Sequence, residues 1–185
     1  MISPVPRLLL AGVLLASAVT MAAEPTRHVL LDQRFAELKQ AEDEVTARGI
    51  EQEIWKLWMV SGNPEIDALM QQALAARRWG DYDKALGLVE RVTGIDPGYA
   101  EAWNQRATIH FLQSDYEQAL KDVARTLELE PRHFGALAGR GIIRLRQGKS
   151  ALAIQNIKAA MEYHPFLRER TLVPPQFLDQ PADAR

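Results

Sequence analysis

A chain of 185 residues with 47% apolar and 25% charged residues has the make-up of one folded domain or one array of small units. Its net charge of −2 gives no general attraction to nucleic acid. The absence of cysteine excludes disulfides, thiolate catalysis, Cys-ligated zinc and a lipid anchor carried on an N-terminal cysteine.

Residues 1–23 read as a secretion signal. One charge, Arg7, precedes an apolar run from Leu8 to about Val19, shorter than the roughly 20 residues of a membrane span. Small residues then lead to a cut expected near Ala22 or Ala23, before Glu24-Pro25. An uncleaved anchor is the other reading, and both deliver the folded part across a membrane. The expected location is the periplasm.

Residues 24–64 carry two helical stripes. Leu31, Phe35 and Leu38 form one; Ile50, Ile54, Leu57 and Trp58 form the other. Asp43 is placed to cap the second helix, and Ser61-Gly62-Asn63-Pro64 to end it. The segment is expected to be a helical hairpin that caps the N-terminal end of a helical array. Trp55 and Trp58 are read as its core, with a binding platform as the alternative.

From residue 65 to 167 the sequence repeats itself. Pro97, Pro131 and Pro165 are thirty-four residues apart, as are Ala85, Ala119 and Ala153, and also Val89, Val123 and Ile157. Gly80, Ser114 and Gly148 mark a turn inside each copy, and each proline closes a second helix. A helix pair of this size cannot bury its apolar face alone, so neighbouring pairs must stack.

The best copy, Ala100 to His133, resembles a tetratricopeptide repeat. Trp103 stands at the aromatic position near its start and Ala107 at the small position. Tyr116, Ala119 and Pro131 stand at the family's tyrosine, alanine and proline positions. Residues 66–99 and 134–167 are weaker copies, and the third has Ser150 in place of tyrosine. The resemblance implies an all-α, right-handed α-solenoid of three helix pairs preceded by the hairpin, similar to exported bacterial repeat proteins. Beyond a turn or two within residues 166–173, residues 168–185, with Pro174-Pro175 and Pro181, are expected to be extended or disordered. Either the third repeat's outer face is polar enough alone, or the tail lies across it, or a partner or second copy covers it.

The resemblance also implies a concave groove lined by the first helix of each repeat. It assigns Met70, Leu74, Arg77 and Arg78 in the first, Asn104, Thr108 and Phe111 in the second, and Ala138, Ile142, Leu145 and Arg146 in the third. Members that hold a C-terminal carboxylate need cationic residues at set positions. Those positions here are Met70, Leu74, Gln105, Gly135 and Gly139, so no such clamp is expected.

Nothing in the sequence points to chemistry. His28, His110, His133 and His164 are scattered, and no phosphate loop or nucleophile elbow occurs. No enzyme activity, cofactor or metal is expected. The expected role is an adaptor that binds a segment of another envelope protein. Two other readings stand. One is a structural unit that self-assembles through a poorly covered C-terminal end. The other is an envelope-surface binder using a basic patch of Arg140, Arg144 and Lys149 in the third repeat.

Overall fold

The computed structural model describes residues 26–180; the expected signal and the last five residues lie outside them. Eight α-helices make up the described fold. They are α1 (Arg27–Lys39), α2 (Glu44–Met59), α3 (Pro64–Arg78), α4 (Tyr82–Ile95), α5 (Ala100–Leu112), α6 (Tyr116–Leu129), α7 (Phe134–Arg146) and α8 (Ser150–Met161). No strand occurs among the described residues.

The helices α3 to α8 form three pairs, one per 34-residue copy. At the turn inside each pair the chain takes a left-handed conformation, with φ of 80° at Gly80, 64° at Ser114 and 73° at Gly148. Asp81 and Asp115 then cap α4 and α6 by accepting from Lys84 N and Gln118 N. The alanine column, Ala85, Ala119 and Ala153, has no exposed surface at all. A methyl group is the only side chain that fits where the paired helices meet. Pro97 and Pro131 each lie just past the last turn of α4 and α6, as the period requires.

The two helices before the array do form a hairpin, and Asp43 does cap α2, its Oδ1 accepting from Thr46 N at 2.8 Å. Its seat differs from the expected N-terminal cap. Leu31, Phe35 and Leu38 of α1, with Ala47, Ile54 and Trp58 of α2, share one core with Phe134, Leu137 and Ala138 of α7, Ala160 of α8 and Leu167. The first repeat builds a separate core from Ile66, Leu69, Met70, Ala73 and Ala76 with α4 and the start of α5. The hairpin therefore folds back onto the third repeat. The physical reason lies in its aromatic residues, which find Phe134 and not the polar outer face of α3, where Glu65, Gln71, Gln72 and Arg78 are exposed.

The links are specific. Phe35 and Trp58 pack edge-on or tilted against Phe134, and Trp55 meets it at 87°. Trp55 and Trp58 are thus core residues, not a platform. Arg132 Nη1 pairs with Asp32 at 2.6 Å while its guanidinium lies 4.6 Å over the Phe35 ring. At the far end, buried His164 places Nε2 3.3 Å from the Glu51 carboxylate.

The segment after α8 is not extended or disordered; it lies across the third repeat, one of the placements the sequence left open. Two short 3-10 turns, Arg168–Leu172 and Pro175–Phe177, bring the chain back over the third repeat. Val173 is buried there, and Lys158 of α8 donates to the carbonyl of Gln180. The outer end of the solenoid is partly covered by its own chain, with Leu152 and Leu172 left exposed.

The Glu51–His164 contact generates a test. The His164 hydrogen bond is the largest influence holding the Glu51 carboxyl below its ordinary pKa of 4.5. A carboxylate with a depressed pKa contributes stability that is complete above its unfolded value and lost as pH falls through its folded one. Glu51→Gln is expected to lower stability at neutral pH and to flatten the loss below about pH 4.5. Urea unfolding at a series of pH values from neutral downward measures it, and parallel curves for the two proteins would contradict it.

Candidate functional site

The concave face of the array holds a cleft of about 220 Å³ between α5 and α7. It is lined by Asn104, Ala107, Thr108 and Phe111 of α5, Val123 of α6, and Gly135, Ala136, Gly139, Ile142 and Ile143 of α7. Spacing of three and four residues along α5 and α7 turns these side chains to one face. The wall is mostly apolar. The polar atoms come from Asn104 and Thr108, and Thr108 Oγ1 is already engaged with the Asn104 carbonyl at 3.0 Å.

Four of the eleven groove positions named from sequence reach this cleft: Asn104, Thr108, Phe111 and Ile142. Met70 does not, being 1% exposed within the first repeat's own core. Ala138 does not, because the hairpin covers it. Leu74 and Leu145 are half-buried and Arg78 and Arg146 exposed, all outside the cleft wall. Arg77 turns toward the second repeat, where Nη1 donates to Gln105 Oε1 at 2.8 Å.

Two small residues that the sequence placed in the groove only to exclude a carboxylate clamp also shape the hollow. At Gly139 an added Cβ would meet nothing within 4 Å, so the absent side chain leaves open space in the wall. At Gly135 an added Cβ would lie 2.7 Å from Cη2 of Trp55. The α2 helix reaches the floor of the groove there, and only a glycine lets the indole in. Both glycines stand at groove positions of the repeat register, which is a signal the sequence did contain.

Beneath the Trp55 end lies a buried polar network. The Glu101 carboxylate, 1% exposed, accepts from Gln105 Nε2, from Asn104 Nδ2 at 3.2 Å and from His133 Nε2 at 2.9 Å. His133 Nδ1 accepts from Ala136 N at 3.1 Å and so caps α7, which fixes the ring proton on Nε2. The Trp58 indole stacks on the same imidazole with centroids 4.0 Å apart and planes at 6°. The groove therefore has one polar, closed end and one open, apolar end.

The basic residues of the third repeat lie on another face. Arg140 and Arg144 sit one turn apart on α7 and are partly buried, whereas Lys149 is exposed ahead of α8. Burial is the main cause that lowers the Arg140 pKa, and the like charge of Arg144 adds to it. Among the described residues no group of His, Asp or Glu is arranged to hold a metal ion.

Comparison with known proteins places this geometry. The family described as Tetratricopeptide repeat matches residues 70–131 and 113–165. A TPR repeat-containing protein of Rhizobium etli is 39% identical over 82 residues, which are 44% of this chain and 40% of that protein. This chain thus matches well under half of that relative's length. Among solved structures, the first TPR of Spaghetti (RPAP3), bound to an HSP90 peptide, superposes with a TM-score of 0.56 at 21% identity, over 58% of this chain and 86% of that one. MamA of Desulfovibrio magneticus gives 0.51 at 18%, over 75% of each chain. At these identities the likeness concerns the fold.

The two glycines of α7 yield opposite expectations. Gly139→Ala should stabilise by about 0.5–1 kcal/mol, since alanine favours helix and its methyl meets open space. Gly135→Ala should destabilise by about 1–3 kcal/mol, because Trp55 is held by Trp58 and Phe134 and cannot step aside freely. Urea titration followed by tryptophan fluorescence distinguishes them, and equal effects would contradict the placement of α2.

Proposed function

Because the chain belongs to the tetratricopeptide repeat family, we propose that it is a non-enzymatic interaction protein whose α5–α7 cleft takes one apolar anchor of a partner segment. The observation that carries this reading is the open, apolar end of the groove around Phe111, Gly139 and Ile142. Its volume suits one or two apolar side chains, and Thr108 Oγ1, which donates to the Asn104 carbonyl, can still accept a hydrogen bond from the partner. A TPR of similar fold is bound to a peptide, which supports a segment as the ligand. The chemistry of recognition differs from a carboxylate clamp. Gly135 and Gly139 offer no cation, Met70 is buried and Gln105 is committed to Glu101 and Arg77.

The partner is proposed to be another envelope protein and the location the periplasm, on the strength of the signal-like residues 1–23. The 3-10 turns cover only part of α8, and Leu152 and Leu172 stay exposed at that end, which keeps self-assembly as the second reading.

The test is photo-crosslinking in the native cell with the probe at Phe111 or Ile142 and a control at Lys121, which is exposed on α6. Capture of one discrete protein at the groove positions and none at Lys121 is expected. Gly139→Leu, which fills the hollow without a clash at Cβ, should abolish that capture while leaving the thermal midpoint no lower. Capture that survives Gly139→Leu would overturn the groove as the binding site.

A further inference from the structure

The second and third repeats place the same basic pair on the same helix face, and only one pair has its counter-charge. In the second repeat Arg106 of α5 donates through Nε and Nη2 to the two oxygens of Asp122 on α6, at 2.8 and 2.7 Å. His110, one turn along, lies 3.8 Å from the same carboxylate. Glu90 of α4 adds a second negative charge, and the Arg106 guanidinium lies 4.5 Å over the Trp103 ring. The Asp122 hydrogen bonds lead these influences and raise the Arg106 pKa above its usual value.

Thirty-four residues further on, Arg140 and Arg144 replace Arg106 and His110, and all three electron-rich partners are gone. Asn156 stands in place of Asp122, Ala124 in place of Glu90 and Leu137 in place of Trp103. Arg140 Nε still donates to Oδ1 of Asn156, while the Asn156 amide nitrogen is spent on the Leu152 carbonyl. An amide oxygen accepts a hydrogen bond but carries no net charge. Arg144 Nη1 donates to Gln147 Oε1 at 3.0 Å, again a neutral partner. Neither arginine forms an ion pair among the described residues. The contrast extends to titration: burial lowers the Arg140 pKa, the opposite sense to Arg106.

We propose that Arg140 and Arg144 form a receptor for one carboxylate side chain of a protein partner, which supplies the negative charge that Asp122 supplies from within in the second repeat. A partly desolvated guanidinium pair attracts an anion more strongly than an exposed lysine does, because less water competes. With Arg140 Nε on Asn156 and Arg144 Nη1 on Gln147, the terminal nitrogens of Arg140 and Nη2 of Arg144 remain to donate to a carboxylate. Arg140 and Arg144 are partly buried whereas Lys149 is exposed, which favours a single inserted side chain over a broad anionic surface as the occupant. The site lies on a different face of α7 from the cleft, so the two can fail independently.

The experiment uses the processed chain, a tetraglutamate peptide as probe, and arginine Nε–H resonances observed by NMR at low salt. The peptide should shift Arg140 and Arg144 and leave Arg106 unmoved. Asn156→Asp should raise the thermal midpoint and weaken peptide binding by about tenfold or more, because the protein then supplies its own carboxylate. A variant that gains stability cannot lose binding by unfolding. Arg140→Gln should weaken binding to a similar extent, and Lys149→Gln by less than about threefold. Wild-type affinity in Asn156→Asp would overturn the proposal. So would binding to phosphatidylglycerol vesicles without binding to the peptide, which would assign the patch to a lipid surface.

Discussion

A buried carboxylate must find donors, and in this molecule the Glu101 side chain sets where everything around it goes. Three donors converge on it, from Asn104, Gln105 and His133, and the last comes from the loop between the second and third repeats. Because His133 also caps α7, the orientation of its ring is fixed from both sides. A fixed, flat imidazole then offers the surface on which Trp58 stacks. The hairpin's position over Phe134 follows from that stack, so the polar network and the aromatic core hold each other in place.

This constraint divides the concave face. Its polar end is closed by the Trp55 indole at Gly135 and its apolar end stays open at Gly139. A partner entering the groove therefore meets a cleft one to two side chains wide instead of the whole inner surface of three repeats. Recognition by so small a pocket favours one buried anchor over an extended set of contacts. The unbalanced arginines on the neighbouring face of α7 would add specificity for an acidic residue beside that anchor.

The repeat was legible in the sequence because its causes are local. The thirty-four-residue columns record a left-handed turn, a small residue at a helix crossing and a proline stop, each decided within a few residues. The hairpin was legible as two helices, since Leu31, Phe35 and Leu38 share a face and Asp43 can cap, but its seat was not. A stripe shows that a face is buried and not against what, and Phe35 meets a ring about a hundred residues away. The groove was half legible for a related reason. Register gives the face of each first helix, and Thr108, Phe111 and Ile142 lie where it puts them. Burial by a neighbouring element then removed Ala138 and Met70 from that surface. The turn at Arg168–Leu172 was legible, whereas the one at Pro175–Phe177 was not, because a proline-rich stretch carries no periodicity to mark its burial.

The most direct measurement is a set of proton–proton Overhauser contacts from the Trp58 and Trp55 indoles. The account predicts contacts from Trp58 to the His133 ring and from Trp55 to the α-protons of Gly135. Contacts from Trp58 to side chains of α3, such as Leu69, with none to His133, would place the hairpin as an ordinary end cap on the first repeat and contradict it.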